Sequence, residues 1–303
     1  MAREITVEAV EKSFGRTKAL DEVSLSVERG ELFGLIGPDG AGKTTLIRVL
    51  VGLMRPDSGR AEVGGCDTVT GQERLKEMIG YLSQRFSLYS DLTVRENIRF
   101  YADLFQIGRE QAAARESELL KFSRLGEFVG RRAGALSGGM KQKLALCCAL
   151  IHVPQVLFLD EPTTGVDPVS RREFWDLLAE LRTGGTTVFV TTAYMDEAAR
   201  CDRVALMYSG RLLAVDTPGA IPDLYPCALL EVRLPEAVNQ VERLEAIGGV
   251  RSVQVFGDRL HVGVEDGEKT GAEIRRVLAG EPDGVAIRRI APGLEDVFVE
   301  MIR

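Results

Sequence analysis

Apolar and polar residues alternate along Ile5–Phe14 and Val23–Val27, a pattern that predicts two half-buried strands. Glu31–Gly37 is instead a nearly continuous apolar run, which predicts a buried strand feeding a glycine-rich loop, with a helix over Lys43–Leu53. Further strands are predicted at Arg60–Val63 and Ile79–Ser83. Thr93 and Glu96 have capping-box spacing, so a helix begins near Val94 and a mainly helical pattern continues to Leu125. After a helix from Ser137 to Ile151, the signals alternate: strand Val156–Leu159, helix Pro168–Leu181, strand Thr187–Thr191, short helix Tyr194–Arg200, then strands Arg203–Met207 and Arg211–Ala214. Strands alternating with helices imply a mainly parallel sheet covered on both faces. The early alternating strands add an antiparallel portion.

Thr217–Pro226 is rich in turn residues and reads as a boundary. The expected organisation is a first domain over 1–218, a linker over 219–226 and an accessory domain over 227–303. The last segment reads as strand Ala228–Arg233, helix Pro235–Ile247, strands Val250–Phe256 and Arg259–Val264, helix Thr270–Ala279 and strand Val285–Arg289, with a final helix over Leu294–Ile302. That order is ferredoxin-like.

Charge and composition narrow the partners. The net charge is −7, from 45 acidic against 38 basic residues, and no dense basic patch points to nucleic acid. The five cysteines form no CxxC pair, so a reducing compartment is expected, with Cys147 and Cys148 as small core residues. The start, MAREITVEAVEKSF, has no apolar signal core, and the stretch around Leu144–Val153 is too short to span a bilayer. A soluble chain is expected.

Three short strings carry the chemistry. Gly37-Pro38-Asp39-Gly40-Ala41-Gly42-Lys43-Thr44, followed by Thr45, fits GxxxxGK[ST] between a strand and a helix. In such a loop, glycines let backbone N–H groups close around a phosphate at a helix start. Lys43 would reach the β- and γ-phosphates, and the Thr44 hydroxyl would ligate Mg²⁺. The apolar run Val156–Leu159 ends in Asp160 and Glu161, at the edge of the sheet where a phosphate would lie. Asp160 is placed to hold Mg²⁺ through water, and Glu161 to polarise an attacking water. Ser137 is a natural N-cap, and Gly138 and Gly139 leave the first turn of the next helix without side-chain bulk, as an approaching anion requires.

Together these strings resemble the ATP-binding-cassette (ABC) nucleotide-binding subunits over about Ile5–Pro218. Gly37–Thr45 is similar to Walker A, Val156–Glu161 to Walker B, and Leu136–Gln142 (LSGGMKQ) to the family signature. The resemblance implies a P-loop NTPase with a mixed sheet and a helical signature subdomain. It also implies ATP and Mg²⁺ as cofactors, with Thr44, Gln84 and Asp160 at the metal. Gln84, in YLSQ, resembles the glutamine that senses Mg²⁺ and couples to the membrane partner. Phe14 stands where the family stacks an aromatic on adenine, although a strand core residue is an equal reading. Asp167, in Gly165-Val166-Asp167, resembles the loop that crosses to a second subunit. Because the family seats each ATP between Walker A of one subunit and the signature of another, Ser137, Gly138, Gly139 and Gln142 are expected to face a partner's ATP.

One position departs from the family pattern. The family usually carries a histidine after the strand that follows Walker B; here Ala193 fills that place and cannot donate to a γ-phosphate. Loss of one such donor can cost about 10²–10³ in rate by analogy with oxyanion holes. A slowed or partner-completed ATPase is expected.

The run Glu161–Trp175 and the following YMDEAARCDRVALMYSGRL resemble ATPase subunits of ABC-2 type exporters, close to the daunorubicin-resistance-like group. The resemblance implies a separate membrane permease, pairing as a homodimer or heterodimer, and a place on the cytoplasmic face of the membrane. Pro292–Phe298 reads either as a dimerisation or regulatory motif or as a helix covering the small sheet. Phe86, Leu88 and Tyr89 read either as a permease-receiving groove or as core, Leu88 more as core. The alternative functions are a soluble ABC ATPase that remodels a complex, or a largely non-hydrolysing regulatory subunit.

Overall fold

The computed structural model describes residues 3–84, 88–234, 236–279 and 285–303. They fall into two compact units, Met1–Pro218 and Gly219–Arg303.

In the first unit, β1 (Arg3–Phe14) and β2 (Thr17–Glu28) pair antiparallel, and both bury alternate residues as period-2 strands must. The fully buried β3 (Leu32–Ile36) leads through the glycine loop into α1 (Lys43–Leu50). Next come β4 (Ser58–Val63), the short β5 (Cys66–Asp67), α2 (Gln72–Met78) and β6 (Ile79–Leu82). The mainly helical pattern from Val94 is two helices, α3 (Val94–Leu104) and α4 (Arg109–Ser123). Gln106, at φ 54°, adopts a left-handed conformation that no helix can continue through. Thr93 caps α3 in a capping box with Glu96. The unit ends with α5 (Gly138–Leu150), β7 (Val156–Asp160), α6 (Pro168–Thr183), β8 (Thr187–Thr192), β9 (Arg203–Tyr208) and β10 (Arg211–Asp216). The short helix expected at Tyr194–Arg200 is a 3₁₀ turn over Met195–Arg200.

Two sheets result. One is the four-stranded β2-β1-β4-β5; the other is six-stranded, β10-β9-β3-β8-β7-β6, parallel throughout except for β10 at its edge. Val156, Phe158, Phe33 and Phe189 join residues of α1 and β1 in a shared core, and the Phe33 and Phe189 rings stack at 5.5 Å. Burying side chains of this size contributes about 1.5–3 kcal/mol each. That burial fixes the carboxyl ends of β3, β7 and β8 side by side. The buried Cys147 and Cys148 pack as small apolar residues.

The second unit is a four-stranded antiparallel sheet in the order β12-β13-β11-β14, from β11 (Ala228–Arg233), β12 (Val250–Phe256), β13 (Arg259–Val264) and β14 (Ala286–Ile290). The helix between β11 and β12 is shorter than expected. Its described part is a 3₁₀ turn over Ala237–Gln240 and the five-residue α7 (Val241–Glu245), while Pro235 lies outside the described residues. Between β13 and β14 runs α8 (Gly267–Val277), three residues earlier than its predicted start because Asp266 caps it. The last helix, α9 (Leu294–Met301), buries Asp296, Val297 and Phe298. In this ferredoxin-like order, α7 and α8 join the apolar residues Leu230, Val232, Val253 and Val262 in one core.

Candidate functional site

The loop between β3 and α1 wraps around a lysine. Lys43 is 3% exposed, and its Nζ donates to the carbonyl oxygens of Gly37 at 2.7 Å and Pro38 at 3.0 Å. Gly42 holds φ 113°, and a Cβ there would come within 2.4 Å of the Ala19 carbonyl, so only glycine fits. Helix α1 starts at that glycine with no side-chain cap and no acidic residue in its first turn. Its bare amides and positive dipole end suit an anion. Thr44 and Thr45 lie half-buried in the same turn, whereas Asp39 and Gly40 are exposed on the loop.

Strand β7 delivers two carboxylates to this loop. Asp160 is 1% exposed and accepts the Thr44 hydroxyl at 3.1 Å and the Thr191 hydroxyl at 2.8 Å. Burial pushes the Asp160 carboxyl above its ordinary range, against the two hydroxyl bonds that favour its ionised form. A divalent cation would restore the ionised form. The Thr44 hydroxyl and Asp160 carboxylate are hard oxygen donors close enough to share one ion, and they fit Mg²⁺, which takes most of its remaining ligands from water and phosphate.

Glu161 leaves the strand in a left-handed conformation, φ 50°, held by its own N–H, which bonds the Thr191 hydroxyl at 3.0 Å. Its carboxylate pairs with Lys43 Nζ at 3.0 Å and accepts Gln84 Nε2 at 3.0 Å. Loop lysine, strand carboxylates and Gln84 thus form one bonded cluster drawn from three segments.

The other expected residues lie elsewhere. Phe14 is not a core residue: it is 51% exposed at the end of β1, with Lys12 Nζ 6.0 Å from its ring centre. Ser137 caps α5, accepting Met140 N–H at 3.3 Å. Ser137 and Gly138 are exposed, and none of their bonds among the described residues reaches the glycine loop. Gly139 has a further, packing reason: a Cβ there would sit 2.4 Å from Ser170 Cβ, so this glycine lets α5 approach α6, whereas a Cβ at Gly138 would meet only the Gly165 carbonyl oxygen, at 3.9 Å. Asp167 caps α6, accepting the N–H groups of Val169 and Ser170 at 3.1 and 2.9 Å. Gln142 is half-buried one turn into α5. Leu88 is half-buried and Tyr89 exposed, its ring edge-on to Phe100 at 4.6 Å, whereas Phe86 lies outside the described residues.

Ala193 follows Thr192, whose carbonyl accepts the Gly37 N–H at 3.2 Å, so position 193 lies beside the loop. Neither histidine replaces the missing side chain. His152 Nε2 bonds the Ile79 carbonyl at 2.9 Å, and His261 bonds Asp296 in the second unit. Sequence reasoning missed Thr191, Thr163 and Glu197. The available signal was a pair of threonines ending a buried parallel strand, where hydroxyls have no apolar reason to be.

With this geometry in place, the relatives can be compared. Residues 20–164 match the ABC transporter family. The daunorubicin resistance ATP-binding protein DrrA3 of Streptomyces coeruleorubidus is 41% identical over 98% of this chain and 95% of its own length. The chain belongs to the ABC transporter ATP-binding proteins. The probable multidrug ABC transporter ATP-binding protein YbhF of Escherichia coli (strain K12) is 40% identical over 98% of this chain, which spans only 52% of that relative. Among solved structures, the dimeric ATP-binding cassette MJ0796, in a post-hydrolysis state bound to ADP and Pi, superposes with a TM-score of 0.64 at 27% identity, over 70% of this chain and 98% of that one. Among the described residues, no helix is long and apolar enough to cross a membrane.

Proposed function

We propose that this chain is the ATP-binding and hydrolysing subunit of an ABC-2 type export complex, driving a separate membrane permease from the cytoplasmic face. The observation that carries the reading is the cluster in which Lys43, Glu161, Gln84, Asp160 and Thr44 meet within hydrogen-bond reach. In this reading Lys43 and the bare start of α1 bind the phosphates, while Thr44 and Asp160, with Gln84, hold Mg²⁺. The bound metal would neutralise charge on the transferred phosphoryl group.

Glu161 takes the role of general base. Its partners Lys43 and Gln84 hold the carboxylate in place, and the left-handed turn aims it away from the strand. When Lys43 turns to phosphate, Gln84 and the Thr164 hydroxyl, 3.3 Å away, remain to orient the carboxylate that polarises water. Phe14, exposed at the end of β1, offers a ring for adenine. Ser137 and Gly138 close the site of a second subunit, identical or related. This fits their exposure and the dimeric state of the solved cassette. Export of a drug is the substrate class favoured by the names of the two relatives.

Ala193 limits the rate because the loop carries no side-chain donor toward the γ-phosphate at that position. Ala193→His raises ATP turnover by about 10²-fold, the scale of one restored oxyanion donor. Equal turnover of the two proteins would remove Ala193 from the account. Recovery of the tagged chain from detergent-solubilised membranes together with a multi-spanning protein tests the transport assignment. Recovery without one contradicts it.

A further inference from the structure

Glu197 is 3% exposed and lies outside the constellation of loop, metal ligands and base. It belongs to the 3₁₀ turn after β8, and each of its carboxylate oxygens accepts a different threonine hydroxyl. Thr163 donates to one oxygen at 2.7 Å, and Thr192 donates to the other at 2.5 Å. Arg171, on α6, brings its Nε to 3.7 Å from the same carboxylate and sets its guanidinium 4.0 Å from the Tyr194 ring centre.

Both threonines are attached to the reacting region. Thr163 follows Glu161 by two residues, inside the turn closed by the Thr164 N–H bond to the Glu161 carbonyl at 3.3 Å. Thr192 accepts the Tyr194 N–H on its hydroxyl at 3.0 Å and the Gly37 N–H on its carbonyl at 3.2 Å. One carboxylate therefore pins the turn that carries the base and the strand end on which the glycine loop rests. Burying a carboxylate is costly unless it is well hydrogen-bonded, and charge-assisted bonds from two hydroxyls with a nearby guanidinium provide that compensation. An apolar side chain could fill the space, but it would leave both hydroxyl protons without an acceptor and the two segments free to shift.

We propose that Glu197 is a positioning residue for ATP hydrolysis, fixing through Thr163 the direction of the Glu161 carboxylate and through Thr192 the seat of Gly37. The inference rests on the ATPase reading of the site. A displacement of the base by about 1 Å can cost as much as 10²-fold in rate while substrate binding stays intact. Position of the base governs turnover; phosphate contacts of the loop govern ATP binding.

Steady-state hydrolysis of Mg-ATP by the purified full chain tests this, with Glu197→Ala, Glu197→Gln and Thr163→Val compared with wild type after thermal unfolding shows each to be folded. Thr163→Val lowers kcat by about tenfold or more with KM for ATP within about threefold; Glu197→Ala lowers kcat to the same extent and, because it also releases Thr192, raises KM as well, whereas Glu197→Gln, which keeps one acceptor and places a donor on the other hydroxyl, stays within about threefold of wild type in kcat. Thr163→Val keeps the buried carboxylate and one of its two hydroxyl partners, so it decides the matter if Glu197→Ala does not fold. Wild-type kcat in Thr163→Val or in folded Glu197→Ala overturns the inference, as does a loss explained wholly by KM. Absence of hydrolysis by the wild type itself overturns the ATPase reading and this inference with it. Wild-type hydrolysis with unaltered variants overturns only the inference.

Discussion

Lys43 makes three contacts that a phosphate would compete for: two loop carbonyls and the Glu161 carboxylate. Its placement in a glycine loop between a strand and a helix was legible because GxxxxGK[ST] reads as that loop. The ion pair with Glu161 was not, since it spans more than a hundred residues and depends on β7 lying beside the loop. The paired glycines of the signature illustrate the same limit. Both read as room for an anion, and the sequence does not show that Gly139 also answers to Ser170 on the neighbouring helix, while Gly138 is only loosely surrounded. Gly139→Ala therefore destabilises the first unit by about 1–3 kcal/mol through overpacking, while Gly138→Ala leaves stability within about 0.5 kcal/mol. Denaturant unfolding of the two variants distinguishes them, and equal stabilities would contradict the contact with Ser170.

At the scale of elements, the sheet strands were the most legible part. Alternation in β1 and β2 and the continuous apolar runs of β3 and β7 come from burial on one or two faces, which sequence period reports directly. Helix α2 was not read at all, and α7 was not legible at its true extent. Each is short, and its length is set by packing onto a sheet rather than by a long amphipathic period. The break at Gln106 between α3 and α4 was not located within the mainly helical pattern, there being no glycine or proline at that position to announce it.

Strand β11 places Glu231, 3% exposed, among Arg288, Arg259 and Arg233. Hydrogen bonds from Arg288 and then Arg259 hold its carboxyl down at about 2 from an ordinary 4.5. A carboxylate whose folded value is depressed stabilises the fold fully above the unfolded value and loses that stabilisation as pH falls through the folded one. The stability difference between wild type and Glu231→Gln is thus constant from neutral pH to about 5 and shrinks progressively between about 4.5 and 2. Thermal unfolding of both proteins across that range measures it. A difference that does not change with pH would contradict the arginine cluster as its source.

For the whole molecule, the division of labour follows from where buried strands end. The carboxyl ends of β3, β7 and β8 bring loop, carboxylates and the Thr191–Ala193 segment together, and Gln84 follows the end of β6. The motif residues could be picked out along the chain because each sits at a strand end or at a helix start. The supporting hydroxyls and Glu197 could not, because their meaning depends on which strands are neighbours. In the proposed function the exposed start of α5 meets a second subunit, and Ala193 leaves Glu161 as the group on which turnover depends most. The most direct test is phosphate release from Mg-ATP by the purified chain compared with Glu161→Gln, which keeps the shape and hydrogen-bonding outline of the side chain but not its basicity. Wild type hydrolyses ATP and the variant falls by about 10²-fold or more while still binding nucleotide; equal rates in the two proteins would contradict Glu161 as the base and the cluster around Lys43 as the catalytic site.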